Sequence, residues 1–182
     1  MKKRMAVTIP RRGAAVTASW VLMAAAGLIR LGYYLPRQMD SFTFWVQLVM
    51  PVTAAVFYLS GIALGGKWGK GCVLAATALG VVFFMVKATT FTPLHQALCT
   101  LLYTAVLVLV FGTLLGFLPT KKLLYPLFSL PLAYHLLVED TQAYFFAQPS
   151  VPVADWLPEI SVLCIMAGLL CLSVSLKTEK LA

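Results

Sequence analysis

The chain has 182 residues, 61% of them hydrophobic and only 11% charged, with a formal net charge of +8. A soluble core of ordinary composition cannot hold that much apolar side chain, so lipid is the expected solvent. The basic residues are spread over separate short gaps rather than along one stripe, which excludes nucleic acid as the reading of the charge and points to topology and anionic headgroups.

Crossing about 30 Å of hydrocarbon takes roughly 20 apolar residues in a helix. On that template six spans are expected, over 14–35, 42–64, 71–87, 94–118, 123–138 with an extension to 147, and 156–176. The first follows a basic stretch from Lys2 to Arg12 and contains Ala24-Ala25-Ala26, a pattern that imitates a secretory signal. Its apolar pattern nevertheless continues through Leu28, Ile29, Leu31, Tyr33, Tyr34 and Leu35, long enough for a retained span. Punctuation agrees with the other limits. Pro36 ends the first span, Gly65-Gly66 the second, Pro93 opens the fourth, Pro119 closes it, and Asp155 is placed to cap the last. Two-residue alternation is absent, so a membrane β-barrel is not expected. The fold class is therefore all-α: a single polytopic membrane helix bundle with no soluble domain of useful size.

The gaps between spans alternate in charge. Lys2, Lys3, Arg4, Arg11, Arg12, Lys67, Lys70, Lys121, Lys122, Lys177 and Lys180 occupy every second gap, leaving only Arg30, Arg37 and Lys87 elsewhere. Short Lys/Arg-rich loops stay cytoplasmic, so both termini are expected inside, with Asp40, Glu139, Asp140, Asp155 and Glu159 outward. Tyr33, Tyr34, Phe42 to Trp45, Tyr144 to Phe146 and Trp156 then mark the outer interface and Trp68 the inner one. Small size and short loops suit a bacterial cytoplasmic membrane. Residues 139–155 form the one long connection, and Pro149 and Pro152 argue against a continuous helix there. Three spans on either side of 87–93 would make an inverted pair, but the halves share no residue pattern.

Cys72, Cys99, Cys164 and Cys171 lie inside apolar runs without a CxxC pair or a histidine at ligand spacing, so they read as small hydrophobes. With two histidines and no HExxH, neither a metal nor another cofactor is expected.

Polar groups carried into lipid are the best functional pointers, since a charge near the bilayer centre costs at least about 2.5–3.5 kcal/mol. The fifth expected span stands out, with Pro126 and Pro131, then His135, Glu139 and Asp140, and Gln142 just beyond. Pro131 should kink that span and free the carbonyl of Leu127. His135 and Glu139 stand four residues apart and share a helix face, a spacing suited to a hydrogen-bonded relay or a polar ligand. The plainer reading has His135 packed in the bundle and the two acids forming its wet end. Arg30, Lys87, His95 and Glu159 fall at a similar depth in the outer half. Lys87 alone reads as snorkelling and Glu159 as helix-dipole matching. Arg30 cannot deprotonate and so calls for a carboxylate, with Glu139 and Asp140 the expected partners. The candidate ligand-binding or proton-relay set is thus His135, Glu139, Asp140, Arg30 and Gln142, with no catalytic group assigned.

Gly61 with Gly65, and Gly112 with Gly116, make two GxxxG patterns near the inner ends of spans two and four. They serve ordinary helix packing or, alternatively, contact with a membrane partner or a second copy. Three function classes follow: a small-solute binding or transport component with an outward polar pocket, a structural or regulatory membrane subunit, and a small intramembrane enzyme using a His/Glu pair. The last lacks a nucleophile elbow, HExxH or paired-aspartate motif to support it.

Overall fold

The computed structural model describes residues 5–90, 94–117 and 157–180. They form β1 (Met5–Thr8), α1 (Ala14–Tyr34), α2 (Ser41–Phe44), a π-helical segment (Trp45–Val49), α3 (Met50–Leu64), α4 (Gly66–Thr90), α5 (Leu94–Leu114), α6 (Leu157–Ser175) and β2 (Lys177–Lys180). The bundle is helical, as the apolar runs require. Among the described residues four stretches are long and apolar enough to cross a membrane, namely Ala14–Tyr34, Ser41–Leu64, Gly66–Lys87 and Leu157–Ser175, while Thr100–Leu114 is a shorter apolar helix. The fifth expected span, with the extension to 147, lies outside the described residues.

A two-stranded sheet, which the apolar pattern did not suggest, ties the ends of the chain together. β1 and β2 pair antiparallel with Met5 opposite Lys180 and Thr8 opposite Lys177. Val7 and Ile9 turn into the hydrophobic core at 4% and 3% exposure, so the strand is held by burial as well as by its ladder.

α1 ends where Pro36 cannot continue it, with the N–H of Leu35 on the carbonyl of Leu31. The next helix opens on Asp40, whose Oδ1 accepts from the N–H of Thr43 at 3.0 Å. That is an N-cap, and it satisfies one of the donors a helix start leaves open. Instead of one uninterrupted span over 42–64, the backbone widens at Trp45–Val49 and resumes as α3. Pro51 accounts for this. It brings no N–H to the carbonyl of Gln47, so regular bonding fails there and a single wide turn absorbs the fault.

Gly65 and Gly66 have φ of 60° and 57°, the left-handed region, and reverse the chain in one step. Helix α4 therefore starts at Gly66, five residues before the expected 71, with Lys67 and Trp68 exposed on its first turn. α5 stops at Leu114, ahead of the expected 118. Gly116 takes φ of 80°, Phe117 N–H reaches the Gly112 carbonyl and Gly116 N–H that of Thr113, each at 3.0 Å. This is a Schellman ending, which the positive φ of Gly116 makes possible. Gly61 does mediate close packing, but within the chain: its α-carbon faces the Gly69 carbonyl and Val73, where an added Cβ would stand 2.7 Å from both.

Neighbouring helices run antiparallel. Gly27 meets Ala55 between α1 and α3; Tyr58 Oη and Thr77 Oγ1 are 3.0 Å apart between α3 and α4; Phe84 stacks on Tyr103 between α4 and α5; Met23 packs on Gly168 between α1 and α6. Small residues and van der Waals fit do this work in lipid, where the hydrophobic effect supplies little between helices. Thr77, Thr104 and Thr113 return their hydroxyls to the carbonyl four residues earlier, which hides them from lipid.

One end of the bundle carries β1, β2 and the Gly65-Gly66 turn, stitched by the Gly66 N–H to the Ile9 carbonyl and by Arg11 Nε to the Leu64 carbonyl at 2.9 Å. α5 also touches β1. This is the terminal face. The opposite, far face holds the 35–40 connection, the end of α4 and the start of α6.

Candidate functional site

Four helical segments bring polar side chains together near the far face. Arg30 and Tyr34 come from the last turns of α1, Gln47 from the π-helical segment, Lys87 from the end of α4, and Glu159 and Ser161 from the start of α6.

Arg30 is the centre. It is 1% exposed, the largest of the fully buried side chains among the described residues. Its Nε donates to Ser161 Oγ at 3.0 Å, and its Nη1 donates to the backbone carbonyl of Gln47 at 3.2 Å and to Gln47 Oε1 at 3.3 Å. Ser161 Oγ in turn donates to the carbonyl of Ala26 at 3.3 Å. The guanidinium carbon lies 5.5 Å from the Tyr34 ring centre and 5.4 Å from that of Phe83, within cation–π range. Tyr34 Oη adds a 3.4 Å bond to the same Gln47 Oε1.

The local sequence explains why these atoms meet. Gln47 stands four residues before Pro51, so its carbonyl lacks the α-helical donor it would otherwise have. A freed carbonyl in lipid must be satisfied by protein or water. Arg30 supplies that bond, which fixes α1 against the widened turn. π-bulges of this kind are frequent at functional sites.

The hydrogen-bond acceptors on Arg30 among the described residues are all neutral. Glu159 exerts its charge on Arg30 and Tyr34, but its carboxylate is engaged by Lys87, Nζ to Oε1 at 3.8 Å. Lys87 and Glu159 were expected to be a snorkelling lysine and a dipole-matched acid; they pair with each other across α4 and α6. Arg37, just past the end of α1, lies over the Tyr33 ring at 3.5 Å.

Of the residues singled out from sequence, Arg30 sits at the centre of this cluster, while His135, Glu139, Asp140 and Gln142 lie outside the described residues, as does any contact of Arg30 with the two acids. Sequence reasoning passed over Gln47 and Ser161 and took Tyr34 for an interfacial anchor. The signal for Gln47 was present: the proline rule applied to Pro131 applies equally to Pro51. Ser161 gave no sign beyond being a hydroxyl one turn into an apolar helix.

Beside the cluster lies a cavity of about 20 Å³ lined by Met50, Pro51, Ala54, Tyr58, Phe83 and Ile165 among others. Its walls are apolar, and the one hydroxyl, on Tyr58, is bonded to Thr77. Among the described residues no three His, Cys, Asp or Glu side chains come together as metal ligands. Comparison of the chain with protein-family models, curated proteins and solved structures gave no match.

Proposed function

We propose that the protein is a small-solute binding or transport component of a cell membrane, of the bacterial cytoplasmic type, with its site at the Arg30 cluster in the outer half of the bilayer. The observation that carries this reading is the convergence of polar groups from three helical segments, α1, the π-helical turn and α6, on one buried guanidinium. Such a charge is costly in lipid, and intramembrane ionisable residues mark substrate or ion pathways more often than they serve packing. The π-helical turn adds a second feature that concentrates at functional sites.

The topology we propose has six spans and both termini in the cytoplasm. Two observations support it. β1 pairs with β2, so Met5–Thr8 and Lys177–Lys180 share one face. That face carries exposed Arg11, Arg12 and Lys67, as cytoplasmic loops do.

A solute library tested by thermal unfolding in lipid nanodiscs, with Arg30→Gln in parallel, tests the function. Solutes that stabilise the parent chain and not the variant are expected. If none does so, or if both proteins respond alike, the protein moves to the structural-subunit class.

A further inference from the structure

We infer that the solute held at this site is a carboxylate with a short apolar body; the inference rests on the solute-binding reading above and names the class of solute. Two independent features of the site carry it, one for each end of the molecule.

The head is argued from Gln47 Oε1. That atom accepts from Arg30 Nη1 at 3.3 Å and from Tyr34 Oη at 3.4 Å. Both are long: N–H···O bonds settle at about 2.7–3.2 Å and O–H···O bonds at about 2.5–3.0 Å. A neutral amide oxygen therefore occupies, loosely, the point at which a cation and a hydroxyl donor converge. A carboxylate oxygen placed there would take the same two donors with a charge-assisted bond to each. The positive end of α6 lies alongside, since Ser161, which holds Arg30 Nε, is in its first turns. Gln47 and Tyr34 are both half-buried, so the side chain to be displaced is also the one with a way out.

The body is argued from Phe83. Its ring faces the Arg30 guanidinium at 5.4 Å and also lines the apolar cavity between α3, α4, α5 and α6. A molecule whose carboxylate meets Arg30 thus has an apolar wall beside it and a cavity of about 20 Å³ beyond. On that measure about one water-sized group fits, and a site without free polar partners stays dry. A methyl or short hydrocarbon end suits it; a second charge does not.

The test uses the full chain in nanodiscs with acetate, butanoate, butylammonium and butan-1-ol as probes, read by titration calorimetry and thermal unfolding. Butanoate should bind more tightly than acetate, and neither butylammonium nor butan-1-ol should bind at the site. Arg30→Gln should weaken butanoate by about tenfold or more, the loss of a charged hydrogen-bond partner. Tyr34→Phe, which keeps the ring, should weaken it less. Ala54→Val, which narrows the cavity, should remove the advantage of butanoate over acetate and leave acetate unchanged. Equal binding of butylammonium, or butanoate binding indifferent to Arg30→Gln and Tyr34→Phe together, overturns the assignment. If the carboxylates fail while a neutral or cationic solute from the library binds in an Arg30-dependent way, the class is wrong and the site stands. If no solute depends on Arg30, the site reading itself falls.

Discussion

The backbone carbonyl of Gln47 receives from Arg30 a hydrogen bond in place of the one an α-helix would draw from the residue four positions on, which is Pro51 and has no N–H. A backbone fault in one span and a buried charge in another thus answer each other. Each would be costly alone: the carbonyl as an unsatisfied acceptor in lipid, the guanidinium as an unsolvated cation.

This coupling is measurable as a double-mutant cycle in nanodiscs. Pro51→Ala restores an N–H to the Gln47 carbonyl, so Arg30→Gln should cost less in the Pro51→Ala background than in the parent. The difference should be about 1–2 kcal/mol, the worth of one charged hydrogen bond. Additive losses would show that the two residues act independently.

The glycines separate two kinds of constraint. At Gly61 an added Cβ would stand 2.7 Å from the Gly69 carbonyl and from Val73, so Gly61→Ala should destabilise the bundle by about 1–3 kcal/mol through overpacking. At Gly66, with nothing within 4 Å but φ of 57°, Gly66→Ala should cost only about 1–2 kcal/mol of backbone strain. Thermal unfolding of the two variants checks the contrast. A second substitution, Val73→Ala, should relieve part of the Gly61→Ala loss and none of the Gly66→Ala loss.

Asp40 gives a pH dependence with a defined sign. The Thr43 side chain and backbone N–H, bonded to its carboxylate, hold it below the ordinary aspartate range. A group whose proton affinity is lowered by folding adds stability above its unfolded pKa, about 3.9, and loses that contribution as pH falls through the folded value. Asp40→Ala should therefore be less stable than the parent at pH 7. The two unfolding curves should converge below about pH 4. A constant gap across that window would assign the effect to something other than the cap.

Topology is open to cysteine labelling in a Cys-free background. Lys67→Cys should react only from the cytoplasmic side and Asp40→Cys only from outside. Labelling of Lys67→Cys from outside would invert the proposed orientation.

Much of the architecture was legible because its causes are local in sequence. Apolar length set α1 at residues 14–34 almost as expected from 14–35, and Pro36, Asp40 and Gly65-Gly66 set limits through backbone chemistry that needs no partner. The insulated position of Arg30 was legible too, as a permanent charge inside an apolar run. What the sequence could not say is which oxygens would meet that charge. Gln47 lies 17 residues from Arg30 and Ser161 lies 131, and the pairing of Lys87 with Glu159 joins helices with no shared local signal. Such partners are chosen by helix crossings, which Gly27 against Ala55 and Met23 against Gly168 fix in space. The end-to-end pairing of β1 with β2 has the same origin: neither four-residue strand could hold by itself, and only the folded bundle brings their backbones into register.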